Sequence, residues 1–371
     1  MLNTDTQQVR IIEVEQKLAI MRSWLGSTGA SVLRLRGTDW FAWATAGGSN
    51  TVLLTAETGV AEIVVGANDA YLLTDDIEAL RLREEEVPDG YAWYVSPWAE
   101  PQVRERFVAQ LAVGGVVLAD RPAADEIALT DAMLQQRYRL TDSERARYRQ
   151  VGRLAAQAMT EVLGHARPDW SEFDLAGAGA EALWSRGLHP ALTLAAGERR
   201  LPRYRHTTPS KDPLGSRAML VFCARGYGLY ANLTRFVHFG PSWQHPDQLA
   251  LQQIEAAGLA ACQPGALLSD IYIALDDAYR DLGFTDAIRQ HHQGGITGYL
   301  ARERVAAPHT AVPLAVHMAV AFNPSLPGTK LEDTFLLSDH GLENVTLDPE
   351  WPSVPYEGQM RPLPLEGANG Y

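Results

Sequence analysis

The sequence contains little cysteine: among 371 residues, only Cys223 and Cys262 occur. Two cysteines cannot form the disulfide framework of a small extracellular domain, and neither lies in a Cys-x-x-Cys or Cys/His cluster of the kind that binds structural zinc. We therefore expect both thiols to be reduced and partly buried. Because Cys223 has no neighbouring base in the sequence, a buried thiol is favoured over a nucleophile.

Long apolar runs and an excess of positive charge are also missing. No apolar run approaches the ~18 to 20 residues that a membrane-spanning helix requires. Lys and Arg number 32 against 45 Asp and Glu, which gives a formal charge of -13. Since phosphate backbones are bound by clustered Lys and Arg, this balance argues against a nucleic-acid partner. The composition predicts a cytoplasmic protein with no membrane and no nucleic-acid partner.

The length of the chain predicts two domains, because 371 residues exceed one ordinary hydrophobic core. From Ile11 to about Gly115, amphipathic segments alternate with short runs rich in β-forming residues, which is typical of a small α/β domain. We place this domain at residues 1–138. The predicted strands are 31–35, 51–55, 61–65 and 115–118.

A second domain is predicted at residues 139–371. Thr141 and Glu144 have the spacing of a capping box, which marks the start of a helix. The mixed order of the elements that follow favours an α+β fold over a doubly wound sheet. The Pro- and Gly-rich segment 352–371 predicts a loosely held tail. Helices are predicted near 171–185, 246–262 and 269–282, and strands near 218–224, 233–239 and 316–322.

Several motifs of the second half occur in a distinctive order. They are Tyr204-Arg205-His206, the hairpin-like run from Val221 to Thr234-Arg235, the run His291 to Gly298, Asn323-Pro324-Ser325, and Glu332-Asp333. Together with Asp39–Trp43 and Tyr71–Arg81 in the first half, they make the whole chain resemble the superfamily of creatinase, prolidase and aminopeptidase P. The resemblance implies a small N-terminal creatinase-type domain followed by a pita-bread domain, a homodimer, and a small-molecule or short-peptide substrate.

The metal enzymes of that superfamily hold two ions with Asp, Asp, His, Glu and Glu. By the resemblance, these positions carry Val221, Asn232, Gly295, Asn323 and Glu332 here, and a further family histidine is replaced by Arg302. Hard divalent ions need several carboxylates to offset their charge. One Glu and two neutral amides cannot do this, so we expect no metal ion and no other cofactor.

The resemblance also assigns roles to the remaining polar residues. His206 stands where the family has a site histidine, and creatinase works without metal through a histidine in this region. We therefore expect His206 to act as general acid/base with help from Glu303 and Glu332. The substrate contacts are expected to come from Asn232, Arg235, His291, His292, Arg302 and Asn323.

Simpler interpretations stay open for each of these residues. Glu303 and Glu332 could equally form structural ion pairs with Arg302, Arg235 or Lys330, and the position of Arg235 is often structural in the family. The preferred function is metal-independent hydrolysis of a C–N bond in a small amide, amidine or guanidine. The alternatives are a non-catalytic protein that binds a small ligand, and a residual Xaa-Pro dipeptidase or aminopeptidase.

Overall fold

The computed structural model describes residues 7–240 and 245–367. The chain forms two compact units. The first extends to Arg137 and includes Asp142–Glu144, whereas the second comprises Tyr138–Thr141 and the chain from Arg145 onward. Among the described residues, no helix is both long and apolar enough to cross a membrane.

The first unit contains a mixed six-stranded sheet in the order β4-β3-β2-β1-β5-β6. One cluster of its core forms where α4 packs on β1, β2 and β3 through Val108, Ala112, Val32, Val64 and Leu73. The elements are α1 (Gln7–Thr28), β1 (Val32–Gly37), α2 (Thr38–Ala44), β2 (Thr58–Val65), β3 (Ala70–Asp75), α3 (Ala79–Arg81, continued by a π-turn at Leu82–Glu86), β4 (Ala92–Ser96), α4 (Pro101–Ala112), β5 (Val117–Ala119), β6 (Ile127–Ala128) and α5 (Asp131–Tyr138).

One predicted strand of this unit is wrong. Residues 51–55 form no strand, and the side chains of Val52 and Leu53 are 62% and 65% exposed. The run is apolar and β-branched at its start, but it lies in a surface turn, and the strand begins only at Thr58. The strands expected near 31–35, 61–65 and 115–118 correspond to β1, β2 and β5.

The first half of the second unit is a four-stranded sheet, in the order β19-β9-β8-β7, that is covered on one face by helices. Along β8, Leu220 and Phe222 pack against α6 and α7, so Val221 and Cys223 point to the opposite face. Helix α7 begins with a capping box between Ser171 and Asp174. The elements are α6 (Asp142–His165), α7 (Glu172–Trp184), β7 (His189–Gly197), β8 (Arg217–Gly226) and β9 (Leu229–His238).

A five-stranded antiparallel sheet, in the order β11-β10-β12-β15-β16, completes this unit. It meets the first sheet where Thr234 of β9 bridges to Glu332, just before β15. The elements are α8 (Gln248–Ala261), α9 (Leu268–Asp281), a 3-10 turn (Ala287–Gln290), β10 (Gly294–Thr297), β11 (Arg304–Val305), β12 (Ala319–Phe322), β13 (Ser325–Leu326), β14 (Thr329–Lys330), β15 (Asp333–Ser338), β16 (Gly341–Asn344), β17 (Ser353–Tyr356), β18 (Gln359–Pro362) and β19 (Leu365–Glu366).

The C-terminal segment is more ordered than predicted. Strands β17 and β18 form a hairpin, and β19 adds to β9 in parallel. Arg361 is 1% exposed and forms ion pairs with Glu255 of α8 and Asp333 of β15. The prediction of a loosely held tail is therefore wrong for residues 352–367, because Pro and Gly here mark turns between strands. Residues 368–371 lie outside the described residues.

Candidate functional site

The hairpin of β8 and β9 sets the register of the site. Its two-residue turn, Tyr227-Gly228, has φ values of 52° and 79°, which are typical of the tight turns that join twisted antiparallel strands. The register places Val221 opposite Thr234 and Cys223 opposite Asn232. Cross-strand partners share a face, so these four side chains point away from the helices.

Cys223, which the sequence analysis did not count among the site residues, lies close to the charged groups of the site. The pKa of its thiol is raised to about 11, mainly by burial, and responds also to the charges of Glu332, Arg302 and Lys330. A thiol with this pKa stays protonated at neutral pH, so Cys223 lines the site but does not act as a nucleophile.

Glu332 is the charged centre of this face. Its carboxylate is 2% exposed and accepts hydrogen bonds from Arg302 at 2.7 Å, Lys330 at 2.9 Å and the Thr234 hydroxyl at 2.8 Å. Burial alone would raise the pKa of Glu332, but the two neighbouring cations outweigh it and hold the pKa at about 2. Glu332 is therefore an anion throughout the physiological range, and it serves to hold two cations in place.

Lys330 is a site residue that the sequence analysis treated only as a structural ion-pair partner. Its side chain is 6% exposed, and the side chain of Arg302 is 15% exposed. Lys330 lies at the end of β14, two residues before Glu332, and this i, i+2 spacing was the only signal in the sequence. Two positive charges thus converge on one buried carboxylate.

Three histidines form a cluster beside these charges. The Nε2 atoms of His206 and His291 are 3.0 Å apart, and the rings of His291 and His292 stack with centroids 4.6 Å apart. The Arg205 guanidinium donates to the Gln290 side chain at 2.6 Å, which ties the loop carrying His206 to the turn preceding His291. The three rings therefore form one unit although His291 and His292 follow His206 by 85 and 86 positions in the chain.

All three imidazoles are held in the neutral form. Partial desolvation by the surrounding chain lowers the pKa of His206 and, to about 4, that of His292, although both rings keep an exposed edge, and burial lowers the pKa of His291 to about 3; the nearby cations lower all three further. At neutral pH each ring offers one lone pair.

Two buried amides extend the polar face. Asn232 donates from Nδ2 to the Thr297 hydroxyl at 3.0 Å, and Asn323 donates from its backbone to the Gln293 carbonyl at 3.2 Å. Within residues 7–240 and 245–367, no protein donor reaches Oδ1 of either side chain. Two acceptor oxygens are thus available to donors of a bound molecule.

Gly295 stands at the position that the resemblance assigns to a metal-binding histidine. It lies in β10 between Ala321 of β12 and Val305 of β11, with φ at 154°. A Cβ atom there would collide with the backbone carbonyl oxygen of Arg304. Only glycine fits, and no side chain can project into the site from this residue.

Two residues of the predicted site have other partners. Glu303 accepts hydrogen bonds from the backbone N–H groups of Tyr299 at 2.9 Å and Leu300 at 3.2 Å, so it stabilises a turn. Arg235 is buried and donates to Asp333 at 2.7 Å and to the Thr346 carbonyl at 2.9 Å. These contacts favour the structural alternative for both residues.

Comparison with known proteins agrees with this architecture. No curated protein sequence matches the chain. Similar solved structures include an Xaa-Pro dipeptidase from Bacillus anthracis (18% identity, TM-score 0.74, covering 91% of this chain and 98% of that one). Others are the prolidase from Pyrococcus horikoshii OT3 (15%, 0.75, 90% and 98%) and the dipeptidase PepE from Mycobacterium ulcerans (18%, 0.74, 97% and 99%).

At these identities the structural matches show the fold alone, and they confirm the predicted small N-terminal domain followed by a pita-bread domain. The sequence match reaches further, because residues 146–339, more than half of the chain, match Metallopeptidase family M24. The predicted superfamily is confirmed. This chain therefore belongs to metallopeptidase family M24.

Proposed function

We propose that this member of the M24 family hydrolyses a C–N bond in a small substrate without the dinuclear metal site of the family. The residues at the family's ligand positions support this. Val221 is apolar, Asn232 and Asn323 are neutral amides, and Gly295 has no side chain. Such a set does not fit two hard divalent ions.

One observation carries the proposal: Glu332 binds Lys330 and Arg302 beside His206. The retained carboxylate already has two cationic partners at hydrogen-bond distance, so its charge is offset without metal. In hydrolysis of an amide, negative charge develops on the carbonyl oxygen, and fixed cations stabilise it. Lys330 and Arg302 supply that positive charge from the chain itself.

His206 provides the proton transfers. As a neutral imidazole it accepts a proton from water while the water oxygen bonds to the carbonyl carbon. The C–N bond then breaks, and His206 returns the proton to the leaving nitrogen, so that one water is consumed for each bond cleaved. The hydrogen bond that joins Nε2 of His206 to Nε2 of His291 fixes the orientation of the ring, and when Nε2 of His206 donates it, Nδ1 carries the lone pair that accepts the proton.

The charges favour a substrate with an anionic group. Glu303 and Glu332 both have partners, so neither is available for a guanidinium or amidinium group, whereas Lys330 and Arg302 give this face net positive charge. The Oδ1 atoms of Asn232 and Asn323 accept N–H donors. A short peptide or another small amide with a carboxylate meets both requirements, and the dipeptidase names of the similar structures agree with this class.

The test is a substrate screen on EDTA-dialysed protein, with dipeptides, N-acyl amino acids and guanidino acids followed by mass spectrometry. We expect turnover of a carboxylate-bearing amide in the continued presence of EDTA. His206→Ala should lower kcat by ~10² to 10⁴, whereas the matched control His309→Ala, at an exposed loop position, should not. Loss of turnover with EDTA and its recovery with Mn²⁺ would reject the proposal.

A non-catalytic binding protein is the second candidate, and the contacts of the two glutamates favour it. Neither Glu303 nor Glu332 is free to assist proton transfer, so of the three residues expected to carry it only His206 keeps that role. In that case small anionic amides would raise the thermal unfolding temperature of wild type and His206→Ala without any product being formed.

A further inference from the structure

We propose that His206, His291 and His292 together bind one divalent transition-metal ion, of which Zn²⁺ is the best fit. One candidate ligand atom from each residue lies within 4.8 Å of the other two. None of the three corresponds to the family's ligand positions discussed above. This is a separate site with a different donor set.

The spacing of the nitrogens suits a tetrahedral ion. Zinc–imidazole bonds of about 2.0 to 2.1 Å place two nitrogens of a tetrahedral site about 3.3 Å apart. The Nε2 atoms of His206 and His291 are already 3.0 Å apart. Small side-chain rotations of the third ring complete the set, because its ligand atom is at most 4.8 Å from the others.

The local backbone holds the three rings in this arrangement. The hydrogen bond between Arg205 and Gln290 fixes the two segments next to His206 and His291. Gly294, with φ at 90°, turns the chain two residues after His292. His291 is buried, and its Nδ1 has no hydrogen-bond partner among the described residues.

The site is open to solution, since His206 and His292 are exposed. An ion can therefore enter, and three protein ligands leave a fourth position for water or another ligand, as in open zinc sites. Three imidazoles select zinc, copper and nickel, whereas magnesium and manganese favour oxygen ligands. The positive charges of Lys330 and Arg302 repel any divalent cation. This repulsion prevents binding of ions that form only weak bonds to imidazole.

Occupancy of this site has a consequence for the proposed reaction. A metal ion bound to His206 takes the one lone pair of the neutral ring, which is the lone pair that would accept the proton of water, so the ion acts as an inhibitor. The metal site itself does not depend on that reaction, because binding is measured on protein without substrate. A failed substrate screen therefore leaves this inference intact.

The experiment is a titration of chelator-treated, metal-free protein with Zn²⁺ by calorimetry, with Mn²⁺ as the comparison and Co²⁺ absorption as the report of coordination geometry. We expect one Zn²⁺ per chain and a tetrahedral Co²⁺ spectrum. His206→Ala and His292→Ala should each lower the affinity for Zn²⁺ by at least ~100-fold. Losing a residue that only supports a ligand lowers metal affinity by about 10- to 100-fold, and losing a ligand itself should cost at least as much.

His309→Ala is the matched control and should bind as wild type. Both test residues are exposed, so the variants should fold, which circular dichroism and thermal unfolding will verify. Absence of saturable Zn²⁺ binding would overturn the inference. Equal affinity of wild type, His206→Ala and His292→Ala would overturn it as well, because the ion would then lie elsewhere.

Discussion

The buried carboxylate of Glu332 keeps two cations in a part of the protein where neither would be stable alone. Glu332→Gln should lower the free energy of unfolding at neutral pH by roughly 3 to 5 kcal/mol, because it leaves Lys330 and Arg302 without their counter-charge. Urea unfolding measures this loss. The control Glu343→Gln breaks the exposed pair with Arg149 and should cost no more than about 1 kcal/mol. Equal losses for the two variants would contradict the central role of Glu332.

The same residue predicts how stability depends on pH. The pKa of Glu332 is about 2 in the folded protein against 4.5 ordinarily, so the unfolded chain takes up the proton first as the pH falls. Its contribution is fully present above the ordinary pKa and is lost as the pH falls toward the folded pKa. The loss is on the order of 3 kcal/mol. Urea unfolding across the acid range checks this, and Glu332→Gln should lack this part of the pH dependence.

At the residue scale, the sequence predicted which residues belong to the site better than it predicted which residues they contact. The motif order singled out His206, Arg302 and Glu332, which the structure brings together. The sequence could not show that Cys223 faces Asn232, because that depends on the length of the turn at Tyr227-Gly228. Counting back along the chain from Thr234-Arg235 gave Val221, which lies two residues from Cys223 on the same face.

Strand β10 depends on a residue without a side chain. Gly295→Ala should lower the free energy of unfolding by roughly 3 kcal/mol or more, because its Cβ would overlap the Arg304 carbonyl and the backbone has φ at 154°. Gly177→Ala, in the exposed middle of α7 where a Cβ meets nothing, should instead stabilise by about 0.5 to 1 kcal/mol. Chemical denaturation of both variants makes the comparison. Tolerance of alanine at Gly295 would disprove the proposed backbone constraint.

The buried side chain of Arg361 anchors the C-terminal hairpin to the rest of the second unit. Arg361→Met should destabilise by roughly 3 to 5 kcal/mol, because Glu255 and Asp333 would remain buried without a full counter-charge. Arg289→Met, at a side chain that is 81% exposed, serves as the control and should be close to neutral. Thermal unfolding of the two variants is the measurement, and a similar unfolding temperature for both would count against the hairpin's anchoring role.

At the element scale, periodicity predicted buried strands and helices well and failed at the surface. The segments that alternate or repeat at helical spacing became β1, β2, α7, α8 and α9. The exposed run at residues 51–55 and the segment from Pro352 misled the prediction for opposite reasons. An individual apolar residue can remain exposed at the surface, as Val52 and Leu53 do. Pro and Gly are compatible with short strands when they lie at the strand ends or in the turns between strands.

The whole protein should be indifferent to the metals that activate two-metal hydrolases. Because four of the five family ligand positions carry no acidic or histidine side chain here, two Mn²⁺ ions should not bind as a pair, and adding Mn²⁺ should leave the thermal unfolding temperature of EDTA-dialysed protein unchanged. Elemental analysis and thermal unfolding check this, and Zn²⁺ at the histidine cluster provides the positive control. Two tightly bound Mn²⁺ ions per chain would contradict the charge argument.

At the scale of the whole molecule, the fold was predictable because several motifs occur in one order along the chain, and residues 146–339 bear that order out. The histidine cluster was not predictable in the same way. His206 and His291 lie in different segments, and only the tertiary structure, with Arg205 tied to Gln290, brings their nitrogens to 3.0 Å. The homodimer and the cytoplasmic location stay predictions.

The backbone at Gly295 also determines which sequences this protein can reach by mutation. Asn232 and Asn323 could each become acidic by conservative exchange with little change in volume. A histidine at position 295 has no such route, because β11 would first have to move away from β10 to make room for any side chain. Stepwise selection for manganese-dependent activity would therefore stall at this residue, and a designer who wished to install that activity would begin with the 304–305 strand.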